Sequence, residues 1–346
     1  MTLPKLLPHP EDLAWPTDGW PRGEPITGSP DEFARLADAA FALPPEQGLT
    51  RALLVVQRGK LVHERYDHGA SPIYFEYSWS MAKSVTQALV GLLVKDGLIA
   101  PDAPVPVPEW QSEGDARQPI TMNQLLQMRS GLEFREDYVD GQISDVIPML
   151  MDYGRHDTGA FAAQKPLAAE PGTLFSYSSG TTNIICRVLR DIVGDGPTGM
   201  LRFMQSRLFG PVGMRTPTPR FDTAGTFIGS SFLLATADDF ARFGYLYLRD
   251  GVWAGDRLLP EGWVDYARTP TFQSDEEAYG AHWWLHPQRE GWFFASGYDG
   301  QRIYVVPEKD AVVVRLGRTD ADNAPAMWPS VEALIDTLDD APAPSR

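Results

Sequence analysis

YSWSMAKSVTQALVGLL, residues 77–93, decides the reading of this 346-residue chain. Its apolar spacing predicts a helix over 80–96. Ala88, Leu89, Leu92 and Leu93 share one face, and Gly97 is the stop signal. Ser80 and Lys83 stand three apart in the first turn, so their side chains reach each other on one face. A serine hydroxyl is a poor nucleophile until a base takes its proton. A lysine in apolar surroundings resists being charged and can serve as that base. The start of a helix adds free N–H groups that steady an oxyanion. The S-x-x-K pattern occurs only here, in a chain with 24 arginines and six lysines. Arginine supplies charge but does not deprotonate. The competing reading is that Ser80 caps the helix and Lys83 is solvated.

Two later segments carry compatible chemistry. In EPGTLFSYSSG (170–180), Pro171-Gly172-Thr173 makes a turn and Tyr177-Ser178-Ser179 leads into the amphipathic run TTNIICRVLRDIVG. A tyrosine hydroxyl near a lysine ammonium ionises more easily and can relay a proton. FFASGYDGQRIYVV (293–306) reads as a strand entering a Gly-rich turn, where glycine lets a backbone approach a ligand.

Other hydrolase signatures are missing. There is no G-x-S-x-G elbow, no H-E-x-x-H, and the six histidines show no metal spacing, so neither metal nor cofactor is expected. The formal net charge of -16, with no basic run, argues against nucleic acid and anionic membrane as partners and leaves a small-molecule substrate. No apolar stretch reaches spanning length and no signal-peptide core is visible. The single cysteine, Cys186, reads as a buried thiol. These features together favour the cytoplasm. Oligomeric state is left open.

Outward from the helix, RALLVVQ and LVHERYD flank Arg58-Gly59-Lys60 as a hairpin. Residues 1–30, rich in Pro, Gly and Trp, read as an extended arm, and 31–41 as a helix capped near Ser29 or Asp31. Helical segments dominate 98–220, with capping-box spacing at Thr121 and Gln124. Thr236 caps ADDFARFGYLYLRDG. Short strands follow in YGAHWWLHP, GWFFASG, QRIYVVP and AVVVRLG, with a closing helix near 327–339. The expected class is α/β (α+β): an antiparallel sheet built from both chain ends, flanked by helices, with a mainly helical lobe inserted. We expect a single catalytic domain over 1–346, with an α/β lobe (31–100 plus 225–340), a helical lobe (101–224) and the arm (1–30).

SMAKS, ITMNQLLQMRSGLEF, EPG…YSS, ATADDFARFGYLYLRDG and ASGYDGQ, in this order, resemble the serine β-lactamase and penicillin-binding-protein superfamily. Within it the chain is similar to the class C-like branch of family VIII-type esterases and 6-aminohexanoate-dimer hydrolases. The resemblance implies a β-lactamase/transpeptidase-like fold and an acyl-enzyme on Ser80, with Lys83 as proton partner. It puts Tyr177 and Ser179 in the Tyr-x-Asn/Ser motif and Ala295-Ser296-Gly297 in place of Lys-Thr-Gly. The N–H groups of Ser80 and Tyr298 would form the oxyanion hole. Neutral Ala295 stands where antibiotic-handling relatives carry a lysine, so β-lactamase activity is expected to be weak or absent. REDYVDG (135–141) resembles a segment whose tyrosine closes over substrate, matched by Tyr138. The acidic residue expected eleven positions later is Met149, with Asp145 nearby. The expectation is a carboxylesterase on small neutral esters. The alternatives are an amide hydrolase of the aminohexanoate-dimer or D-amino-acid-peptide type, or a non-catalytic binding protein. Ser179, Ser296, Gly297, Tyr138 and Trp283 are the expected substrate contacts, and Tyr138, Trp283, Trp284, Phe294 and Tyr298 the candidate aromatic wall.

Overall fold

A computed structural model describes residues 3–138, 143–320 and 324–342. The end of REDYVDG, from 139 on, lies outside the described residues. Main-sheet strands are β1 (Leu49–Gln57), β2 (Lys60–Tyr66), β3 (Phe272–Gln273), β4 (Ala278–Tyr279), β5 (Trp284–Leu285), β6 (Phe293–Gly297), β7 (Gln301–Val306) and β8 (Ala311–Arg318). They form an eight-stranded sheet in the order β2-β1-β8-β7-β6-β5-β4-β3. Every pairing is antiparallel, and β1 joins β8, so the two ends of the chain close one sheet. Leu54 faces Val314 across that seam. The β1–β2 turn carries positive φ at Arg58 (48°) and Gly59 (79°), the conformation whose twist suits a two-residue hairpin.

Both faces of the sheet are covered, so central strands read as unbroken apolar runs. Leu53, Val55 and Val313 pack with Phe33 of α1 (Pro30–Ala39) and Val331 and Ile335 of the closing helix Ala324–Asp336. On the other face Leu54, Val56 and Val314 join a larger cluster. That cluster includes α2 (Met81–Lys95), α3 (Ser179–Val193), the helix Ala237–Leu248 and residues from the helical stretch, such as Trp110 and Leu125.

Helix α2 differs from its expected one-sided burial. Met81 to Leu93 are all buried, because the helix runs between the sheet and the other helices. Its polar residues are bonded inside: Ser84 donates to the His282 carbonyl (2.7 Å), Thr86 to the Gly229 carbonyl (3.2 Å), and Gln87 accepts from Tyr247. The cap readings hold at Thr121, whose capping box with Gln124 has both bonds, and at Thr236. The segment 279–287 is not one strand. It reverses between β4 and β5, with His282 at φ 56°. The arm is ordered against the body, where Trp15 and Trp20 pack on Tyr245. No helix among the described residues is long and apolar enough to cross a membrane.

Candidate active site

Ser80 ends the turn that leads into α2. The residue before it, Trp79, sits at φ 44°, strained for a side chain of that size. The Ser80 hydroxyl makes no helix-cap bond, so the capping reading does not hold. Its partner is Lys83, whose Nζ lies 3.0 Å from Ser80 Oγ. Lys83 is 2% exposed. The same Nζ is 3.0 Å from Ser179 Oγ and 2.9 Å from the Ser230 carbonyl. Burial lowers the Lys83 ammonium to about 8, opposed by the Glu136 charge. Near neutral pH a useful fraction of this amine is free base.

Tyr177 precedes α3, which Ser178 caps by accepting from Thr181 N–H (3.0 Å). Its ring lies 4.7 Å from Lys83 Nζ, and its hydroxyl lies on the Ser80 side. The expected easier ionisation is reversed. Desolvation first, then the Glu136 carboxylate, pushes the hydroxyl well above its ordinary range. Tyr177 therefore holds its proton in its resting state. Trp284 and Tyr279 hold its ring at 5.2 and 6.0 Å between centroids.

The third segment reaches Ser80 through its backbone. A methyl on Gly297 would come within 2.2 Å of the Ser78 carbonyl oxygen, so only glycine lets β6 pass this close to the Ser80 turn. Tyr298 follows it, and the rings of Trp79 and Tyr298 are 5.7 Å apart. Ser80, Tyr138, Tyr177, Ser296, Gly297 and Tyr298 all line one cavity of about 680 Å³.

Two expected positions need correction. Trp283 is not a wall of this cavity. It is fully buried in the core, 4.5 Å from Tyr247 and 5.2 Å from Phe293 between ring centroids. Neighbouring strand residues face opposite ways, and Trp284 takes the cavity side along with Phe294. Ala295 is likewise buried in the core, and Ser296 faces the cavity. The cation beside that box is Arg302, the cross-strand partner of Ser296, with Nη2 3.4 Å from Ser296 Oγ. It stacks 3.5 Å over Trp328 and donates to Tyr304 Oη at 2.9 Å.

The residue missed from sequence is Glu136. Its carboxylate accepts from Ser179 N–H (2.7 Å), Ser179 Oγ–H (2.5 Å) and Tyr138 Oη–H (2.7 Å). It stands two residues before Tyr138, within the REDYVDG resemblance. The acid sought further on is not in the cavity: Met149 is fully buried, and Asp145 pairs with Lys165. Among the described residues no group of acidic, His and Cys side chains could hold a metal ion.

A serine and a buried lysine one helical turn apart, with a tyrosine beside them, form a candidate serine hydrolase site on a two-faced antiparallel sheet. The Beta-lactamase family model matches residues 45–332, and the chain belongs to that family. It is 27% identical over 330 residues to the 6-aminohexanoate-dimer hydrolase of Paenarthrobacter ureafaciens, covering 87% of this chain and 82% of the relative. A Bacillus anthracis structure described as a candidate 6-aminohexanoate-dimer hydrolase superposes with a TM-score of 0.74 at 22% identity, covering 96% of this chain and 89% of that one. A family VIII carboxylesterase superposes at 0.67 and 16% identity, covering 92% and 99%.

Proposed function

We propose that the chain is a carboxylesterase that hydrolyses small neutral esters through an acyl-enzyme on Ser80. The observation that carries this reading is the 3.0 Å contact between Ser80 Oγ and a buried amine lowered to about 8. Free-base Lys83 takes the hydroxyl proton as Oγ attacks the ester carbonyl carbon. The oxyanion faces the N–H groups of Ser80 and Tyr298. When the C–O bond breaks, Tyr177 gives its proton to the departing alkoxide and is reprotonated from the Lys83 ammonium. Water then attacks the acyl group by the same route and frees Ser80.

The cavity's charge supports neutral over anionic substrates. Asp275, Glu276, Glu277 and Glu332 line it, while Arg302, its fixed cation among the described residues, is already engaged. Carboxylate-bearing lactams meet a repelling rim. The same rim favours a second reading, an amide hydrolase whose substrates carry an ammonium group. The test is kcat/KM on short p-nitrophenyl esters beside nitrocefin and a linear 6-aminohexanoate dimer. Esters are expected to lead. Efficient nitrocefin turnover without esterase activity would overturn the reading, and a dimer amide hydrolysed faster than every ester would install the second one. Absence of fluorophosphonate labelling would leave a binding protein. Ala295→Lys is a poor probe, since it would force an ammonium into the core.

The donor role of Tyr177 makes a sharper prediction. Tyr177→Phe keeps the ring and removes the proton. Alkyl esters, whose alkoxide must be protonated, are expected to slow by about 10²–10³-fold. p-Nitrophenyl esters, whose phenolate leaves unaided, should slow far less. Equal losses on both would assign the hydroxyl to the attack by Ser80 instead.

A further inference from the structure

Ser179 stands between two groups of opposite kind. Its hydroxyl donates to Glu136 Oε1 at 2.5 Å, and its backbone N–H is held by Glu136 Oε2 at 2.7 Å. A carboxylate only accepts, so the single hydroxyl proton of Ser179 is committed to Glu136. Towards Lys83, 3.0 Å away, Ser179 Oγ can then only accept. The Ser230 carbonyl, 2.9 Å from the same nitrogen, also only accepts. A neutral amine has two protons and one lone pair. With both protons taken by Ser179 and Ser230, the lone pair faces the remaining neighbour, Ser80 Oγ.

We propose that Glu136 is a positioning residue for proton transfer at Ser80, fixing through the Ser179 hydroxyl the direction of the hydrogen bonds around Lys83 so that its lone pair faces Ser80. This rests on the acyl-enzyme reading above. The proton balance is complete: the Ser80 proton passes to Lys83 as Oγ bonds to the carbonyl carbon, and the new ammonium donates to Ser80, Ser179 and Ser230. Glu136 takes no proton in this step and stabilises that ammonium through Ser179. Tyr138, donating to the same carboxylate at 2.7 Å, ties the neighbouring segment of the cavity wall to the network.

Among the described residues, the other titratable groups around Lys83 are neutral when the enzyme works. Tyr177 is held as the phenol. Cys186 on α3 is pushed up to about 12 by burial and stays a thiol. His282, before β5, is lowered by burial to about 3, and its Nε2 contacts Thr182 Oγ1 at 2.9 Å. Glu136 is thus the negative charge that favours the Lys83 ammonium.

The test is Glu136→Gln, read as a pH profile on a neutral p-nitrophenyl ester, with Glu136→Asp beside it and fluorophosphonate labelling of Ser80 in all three proteins. An amide donates as well as accepts, so the direction of the Ser179 bond is no longer enforced. kcat should fall by up to about 10²-fold with KM nearly unchanged. The acid limb, where Lys83 must lose its proton, should move down by about 1 pH unit, because the charge favouring the ammonium is gone. Glu136→Asp should keep the limb near its wild-type position. A purely structural role would lower activity and melting temperature without moving the limb. An unmoved limb in Glu136→Gln, with Ser80 still labelled, overturns this inference alone. No labelling of wild-type Ser80 overturns the acyl-enzyme reading and this inference with it.

Discussion

Ser80→Ala is expected to lower kcat/KM on every ester by at least about 10⁴-fold, because it removes the atom proposed to carry the acyl group. The fold should survive. The Ser80 hydroxyl caps nothing, and α2 is held by packing from Met81 to Leu93. Stability should stay within about 1 kcal/mol of wild type. Loss of activity with an unchanged melting curve separates a missing nucleophile from a damaged scaffold. Substantial remaining turnover would mean that another group attacks.

Removing the proposed base is expected to give the second large effect. Lys83→Arg keeps the charge and gives up the proton exchange. However, Lys83 is 2% exposed, with three oxygens already within 3.0 Å, so a guanidinium has no room. Lys83→Met has the length without the amine and is the cleaner variant. It should cost roughly 10²–10⁴-fold in kcat/KM if proton transfer limits the rate.

Its stability signature has a definite sign. The folded lysine lies at about 8, below its ordinary 10.5. Between those values the unfolded chain binds more protons, so wild-type stability rises with pH across that window. Below about 8 the full cost of burying the ammonium is present. The melting temperature of wild type minus that of Lys83→Met should therefore climb from about pH 8 to 10.5 and stay level below it. A flat difference would mean that Lys83 is not held as a destabilised ammonium.

That Ser80, Lys83, Tyr177 and Ser179 come together was legible because their signal is local or ordered along the chain. Ser80 and Lys83 share one turn, and Tyr177 and Ser179 stand at the start of an amphipathic helix. Antiparallel closure by both chain ends was legible from where the apolar runs fall. The all-round burial of α2 was not, because Ser84, Thr86 and Gln87 look solvated until their partners on distant segments are known. Paired tryptophans at 283 and 284 could not be told apart, since alternation says that they face opposite ways but not which way. Glu136 escaped because its partner Ser179 is 43 positions away, and an acid in a charged loop reads as surface. The ionisation of Tyr177 was not legible either: it is set first by burial and then by the Glu136 carboxylate, and both come from segments distant in the chain.

The most direct test of the account is peptide mass spectrometry after trapping with a fluorophosphonate or a slowly released ester. The predicted result is one adduct on the peptide that contains Ser80, absent from Ser80→Ala. An adduct on any other residue, or undiminished turnover in Ser80→Ala, would contradict it.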